Sequence, residues 1–232
     1  MNFMTLGLET GLTIILAIIG FVIVLIAQGK VTSAYGKYKR IKTNKGLTGF
    51  EVARQILDKN GLTNVYIVET KGELSDHYDP RRKVIRLSKE IFHGSSIASV
   101  SVAAHEVGHA IQDKESYVFM KIRASLVPVV NLVSFLGYFA MFISIFAGIT
   151  SYLMIGIILV LATLLFQLIT LPVEFDASNR AKHELSLLGV VDDSEYKKAE
   201  DMLNAAAMTY VASLISTLIS LLRLVLMARD SD

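Results

Sequence analysis

The sequence predicts a mainly helical membrane protein with a small β-sheet, about four transmembrane helices and one small α+β domain carrying an H-E-x-x-H helix. Three observations predict it. Hydrophobic residues make up 53% of the chain, and they are gathered into long blocks rather than spread evenly. The blocks Leu12 to Ala27 and Ala124 to Val173 contain no Asp, Glu, Lys or Arg, and Ala205 to Ala228 contains only Arg223. Between the first two lies "SVAAHEVGHAIQDKE", Ser101 to Glu115, which crowds two histidines and a glutamate into an otherwise small and apolar run.

The first block is flanked by Glu9 and Lys30, and the basic residues Lys30, Lys37, Lys39, Arg40, Lys42 and Lys45 follow it rather than precede it. Residues 1–29 therefore read as an uncleaved N-terminal transmembrane anchor, not as a secretory signal. By the positive-inside rule the same cluster places residues 30–123 in the cytoplasm, and the chain as a multi-pass protein of the cell membrane. At about 1.5 Å per helical residue the second block is long enough for two crossings of a roughly 30 Å hydrocarbon layer. It is read as a transmembrane hairpin, 124–172, turning at "AGITS", Ala147 to Ser151. Residues 204–232 form a C-terminal transmembrane or interfacial helix, in which Arg223 can snorkel to the interface.

The remaining segments, 30–123 and 173–203, supply one small domain. The chain has no cysteine, so a metal site must use His and carboxylate. A formal net charge of +2, with its basic residues clustered beside the first span, argues against nucleic-acid binding. In "LTGFEVARQILDKNGL", Thr48 and Glu51 have capping-box spacing, Val52, Ile56 and Leu57 share a face, and Asn60-Gly61 stop the helix. Val65–Glu69 and Val84–Leu87 are β-rich, with a turn at Asp79-Pro80 between them. Ser95 or Ser96 can cap the next helix, which runs to about Asp113.

On that helix His105 and His109, four residues apart, project from one face, and Glu106 is close enough to reach a metal-bound water. Two imidazoles fill two corners of a tetrahedral zinc site, and a third protein ligand leaves one corner for water. A chance pair of histidines on a buried helix is the bland alternative. It would leave a glutamate and imidazoles without partners among Val102, Ala103, Ala104, Val107 and Ala110, which is costly. Gly108 permits another backbone to approach. The uncharged stretch from Ile97 to Gln112, setting aside the motif itself, is too short for a comfortable crossing, so this is a core helix rather than a span.

The third ligand is open among His77, His93, His183, Asp176 and Glu174. In "LPVEFDASNRAKHELSLLG", Pro172 suits a helix start and Gly189 a stop. Glu174, Ser178, Ala181, Leu185 and Leu188 then share one face, so a lone carboxylate heads a small, apolar stripe. Asp176 points elsewhere and can pair with Arg180, and His183 lies about half a turn from Glu174. The competing reading of Glu174 is a carboxylate favoured at a helix N-terminus by the dipole.

"DHYDP", "VAAHEVGHAIQ" and "LPVEFDASNRA", in this order between these apolar blocks, resemble the YugP-type membrane zinc metallopeptidases over nearly the whole chain. More distantly, the pattern is similar to the gluzincin plan of HtpX-type and CAAX prenyl proteases. The resemblance implies a gluzincin-like catalytic domain, one zinc held by His105, His109 and Glu174, and Glu106 as general base. Many gluzincins carry Asp four residues after the ligand Glu to hold a ligand histidine. Ser178 stands there instead, with Asp176 as an alternative supporting residue. The plan also implies that the strand before the metal helix, here Val84–Leu87, pairs with an extended peptide substrate. His77, Tyr78 and His183 are candidates for an oxyanion or substrate contact.

These readings make the chain a membrane-anchored zinc metalloendopeptidase acting on membrane or membrane-proximal proteins. Its rival is a non-catalytic zinc-binding membrane scaffold or sensor. The two differ at Glu106, because a closed structural site needs no carboxylate beside its histidine.

Overall fold

A computed structural model of the chain describes residues 3–146 and 152–229, so the expected turn at Ala147 to Ser151 lies outside the described residues. In chain order the elements are α1 (Phe3–Tyr38), α2 (Gly49–Lys59), β1 (Tyr66–Thr70), β2 (His77–Asp79), β3 (Val84–Ser88), α3 (Lys89–His93), α4 (Ile97–Lys114), α5 (Val118–Phe146), α6 (Tyr152–Leu187) and α7 (Asp193–Arg229). The protein is thus mainly helical with one small sheet. Two compact units share these elements: one takes the apolar stretches up to Gln28, Ile122–Thr170 and from Thr209 onward, the other Gly29–Lys121 and Leu171–Met208.

The first unit is helical. Within α1, α5, α6 and α7 the segments Gly11–Tyr38, Val118–Ile143, Leu153–Leu187 and Asp193–Arg229 are each long and apolar enough to cross a bilayer. Their large side chains face outward: Phe21, Phe135, Phe139 and Phe142 are all exposed. That arrangement is stable where hydrocarbon, not water, is the solvent. Pro128 lies inside α5 and Pro172 inside α6.

Pro172 does not start a helix as expected from its position before "VEFDAS". Its fixed φ suits the helical conformation, and only the hydrogen bond to the Leu168 carbonyl is lost, a defect that helices of this apolar kind tolerate. The helix that carries Glu174 is therefore the continuation of an apolar one. Likewise α7 runs unbroken from the polar Asp193 turn into the last apolar block.

The second unit holds the sheet and the hydrophobic core. Thr48 and Glu51 make the reciprocal capping box that starts α2, and Ser96 caps α4 by accepting from the Ser99 amide. The amphipathic face of α2, with Val52, Ile56 and Leu57, packs into one cluster with Ile85 and Leu87 of β3, Ile91 of α3, Val100, Ala103, Ala104 and Val107 of α4, and Leu185 of α6. Ile56, Leu57, Ile85 and Leu87 are wholly buried. Each such side chain contributes about 1.5 to 3 kcal/mol by leaving water, and truncating one to alanine costs about 2 to 5 kcal/mol.

The sheet has the order β1-β3-β2, with β1 parallel and β2 antiparallel to β3. This corrects the expected role of Val84–Leu87, because Val84, Ile85 and Arg86 are paired on both sides and have no free edge to offer a peptide. The cause is the "DHYDP" segment. Its His77–Asp79 is itself a strand, and the Asp79 carboxylate accepts from the Arg81 and Arg82 amides and folds β2 back onto β3. The edge strand on that side is β2.

Candidate metal centre

Helix α4 presents His105, Glu106 and His109 because its opposite face is committed to the core. Glu106 and His109 are buried and His105 is partly so. Across from them α6 offers Glu174, Ala177, Ser178, Ala181 and Leu185, all buried. The stripe read from the sequence is the packed face. Gly108 sets the separation of the two helices: a Cβ there would lie 2.5 Å from the Ala177 carbonyl oxygen. No residue with a side chain fits that gap without pushing α6 away.

This close approach brings one carboxylate to two imidazoles. Glu174 Oε2 lies 3.3 Å from His105 Nε2 and 3.6 Å from His109 Nε2, and ligand atoms of all three residues fall within 4.8 Å of one another. Donors held 2.0 to 2.2 Å from a tetrahedral zinc ion are separated by about 3.3 to 3.6 Å, and both histidine–glutamate distances fall in that range.

The other ring nitrogens fix which atoms face the centre. Gln112 is wholly buried, and its Nε2 donates to the Val173 carbonyl at 2.7 Å and to Asp176 Oδ2 at 2.8 Å. Its Oε1 must then face His109 Nδ1, 3.0 Å away, and accept the proton there. The Nε2 of His109 is then the nitrogen that faces Glu174. A lone pair and a carboxylate oxygen at 3.6 Å repel unless a cation lies between them, so the donor set fits a metal better than a simple ion pair. His105 is oriented by Ser178, whose Oγ is 3.2 Å from His105 Nδ1.

Asp176 does not touch the cluster. Its Oδ2 accepts from Gln112 and from Arg180 Nε at 2.6 Å, so it supports His109 through one intervening side chain. Arg180 also pairs with Glu115, at 2.7 Å. Sequence reasoning missed Gln112. Its signal was a polar residue three positions after His109, closing a largely apolar run that begins at Ile97.

The remaining candidates stand elsewhere. His77 is exposed, and its Nδ1 donates to the Ser75 carbonyl at 2.8 Å. His93 is exposed and meets Glu69 at 2.7 Å. His183 lies on the exposed side of α6. The Tyr78 hydroxyl is committed to Asp113 at 2.7 Å, but its backbone amide donates to the Glu106 carboxylate. Among the described residues, none of these four joins His105, His109 and Glu174.

Burial pushes the Glu106 carboxyl up to about 7; His105 opposes the rise, Glu174 and Asp76 add to it, and the Tyr78 amide lowers it.

A helix-borne pair of histidines facing a glutamate from a second helix, in a chain with four candidate spans, is the donor set expected of a membrane metallopeptidase. The comparisons agree. The family described as "Putative neutral zinc metallopeptidase" matches residues 13–229. The "Putative membrane protease YugP" of Bacillus subtilis (strain 168) is 45% identical over 200 residues, covering 86% of this chain and 89% of that protein. The chain belongs to this zinc metallopeptidase family. No solved structure matches it.

Proposed function

We propose that the chain is a membrane-anchored zinc metalloendopeptidase that hydrolyses peptide bonds in extended segments of membrane or membrane-proximal proteins. The observation that carries this reading is the meeting of His105, His109 and Glu174, with Glu174 Oε2 3.3 and 3.6 Å from the two Nε2 atoms and all three ligand atoms within 4.8 Å of one another. Zinc bound there supplies a Lewis acid and a water of lowered pKa. Glu106, buried and raised toward neutrality, takes the proton of the attacking water and delivers it to the leaving amine. His105, His109 and Glu174 would hold the metal, with Ser178 and Gln112 keeping the two rings in place.

The three-residue donor set favours catalysis over the scaffold or sensor reading, since a structural zinc is normally closed by four protein ligands. The substrate edge is assigned to β2, which is unpaired on its outer side among the described residues and whose Tyr78 amide contacts Glu106. The site faces the cytoplasm of the cell membrane, from the basic residues that follow the first apolar block.

Glu106→Gln tests the mechanism. The variant should retain one zinc per chain and lose cleavage of an unfolded protein substrate by about 100-fold or more. Metal analysis and proteolysis are run on the same sample, and unchanged proteolysis would remove Glu106 from the role of base.

A further inference from the structure

Beside His105 and Glu106 the structure holds a cavity of about 150 Å³. Val102 of α4, Val31 of α1 and Met202, Leu203 and Ala206 of α7 make its apolar wall, and Leu74 and Asp76 of the β1–β2 connection complete it. Pockets for whole small molecules begin at about 300 Å³, so this one has room for a single side chain.

We propose that this cavity is the specificity pocket of the enzyme and receives an apolar side chain next to the scissile bond. The assignment rests on the peptidase reading above and adds the class of residue recognised. The cavity is continuous with the proposed catalytic residues, so a side chain seated in it belongs to a residue adjoining the bond at Glu106. Asp76 is the one carboxylate in the lining besides Glu106, and it does not make the pocket a receptor for cations. Its Oδ1 accepts from the Ser88 amide at 2.6 Å and its Oδ2 from the Ser88 hydroxyl at 3.2 Å, and burial raises its pKa.

A second, independent observation points to the same place. Leu74 has φ +57°, a conformation that suits glycine or asparagine and is strained for leucine. It is also about half exposed, at 52%, so burial in the core does not explain its presence. Of the three described non-glycine residues with positive φ, Leu74 alone lines this cavity, so its exposed side chain is free to make a contact outside the fold. Here that contact is the substrate at the mouth of the pocket.

The test uses the zinc-loaded full chain in detergent and internally quenched peptides carrying Leu, Phe, Ala, Lys or Asp in turn on each side of the scissile bond. Wild type should prefer Leu or Phe over Ala, Lys and Asp at one of the two positions by about tenfold or more. Ala206→Leu, which fills the cavity, should reduce the Leu-over-Ala preference by about tenfold. Leu74→Gly should weaken kcat/KM for the Leu peptide by a similar factor without lowering Tm, since it relieves the backbone while removing the contact. That combination separates a binding role from a structural one. Preference for Lys, or a Leu-to-Ala ratio that neither variant alters, overturns the pocket and leaves the peptidase reading intact. Failure of wild type to cleave any peptide or unfolded protein overturns both.

Discussion

Gln112 accepts the Nδ1 proton of His109 because its own amide nitrogen is already committed twice, to Val173 and to Asp176. One buried amide thereby links the metal helix to the helix that bears Glu174, and it fixes the histidine tautomer. Gln112→Leu, of similar volume, leaves the buried Nδ1–H of His109 without an acceptor and removes one of the bonds that Val173 and Asp176 accept, at about 1 to 3 kcal/mol for the orphaned donor. Zinc affinity, measured by competition with a chromophoric chelator, should fall by about 10- to 100-fold. An affinity equal to wild type would show that His109 is oriented by packing alone.

Gly108 predicts a different failure, in which no polar group is lost. Gly108→Ala places a methyl 2.5 Å from the Ala177 oxygen, and the displaced segment lies between Glu174 and Ser178. Overpacking of this kind costs about 1 to 3 kcal/mol, so a fall in Tm is expected together with weakened zinc binding. A variant with wild-type Tm and zinc content would mean that α6 yields at this point without disturbing Glu174.

The ligand set itself is tested by comparing three alanine variants. Glu174→Ala removes a donor atom and should abolish stoichiometric zinc. Asp176→Ala, one side chain removed from His109, should weaken retention by about tenfold, and His183→Ala, exposed on α6, should leave zinc content at the wild-type level. If the His183 or Asp176 variant is the zinc-free one, the third ligand is misassigned.

Ser178 separates geometry from basicity. Its hydroxyl meets His105 Nδ1 at 3.2 Å, where a carboxylate would make a stronger, charge-assisted bond. Ser178→Asp should slow zinc loss to a chelator, provided that the added anion, buried beside Glu174, is neutralised by the metal. Faster loss would indicate that two carboxylates on this face repel more than the histidine bond returns.

What was legible in the sequence was local or periodic. The capping box of α2 involves only Thr48 and Glu51, the histidines are one helical turn apart, and the stripe from Glu174 to Leu185 follows a single helix. What was not legible depended on distant partners or on short segments. Gln112 finds its acceptors 61 and 64 residues away, and no spacing rule reaches that far. Strand β2 spans only His77–Asp79, too few residues for an alternation to declare itself, and missing it left β3 looking like an edge. Pro172 was read as a helix start from its intrinsic preference, whereas the helix on both sides of it overrides that preference.

The last prediction concerns sidedness. His105, His109 and Glu174 meet in one compact unit, so the chain between them must cross the membrane an even number of times, and the uncharged block from Ala124 to Val173 is long enough for two crossings. The basic residues Lys30 to Lys45 follow the first apolar block directly, so the positive-inside rule predicts that the unit faces the cytoplasm. The acidic residues between Glu174 and Asp201 do not oppose this, because carboxylates contribute little to orientation. The chain has no cysteine, so single-cysteine variants report each position separately. In intact cells a membrane-impermeant thiol reagent should label Ser151→Cys and leave Ser33→Cys, Ser75→Cys and Ser194→Cys unmodified until the membrane is permeabilised. Labelling of Ser75→Cys or Ser194→Cys before permeabilisation would place the catalytic unit outside, where the cytoplasmic segments of membrane proteins are beyond its reach.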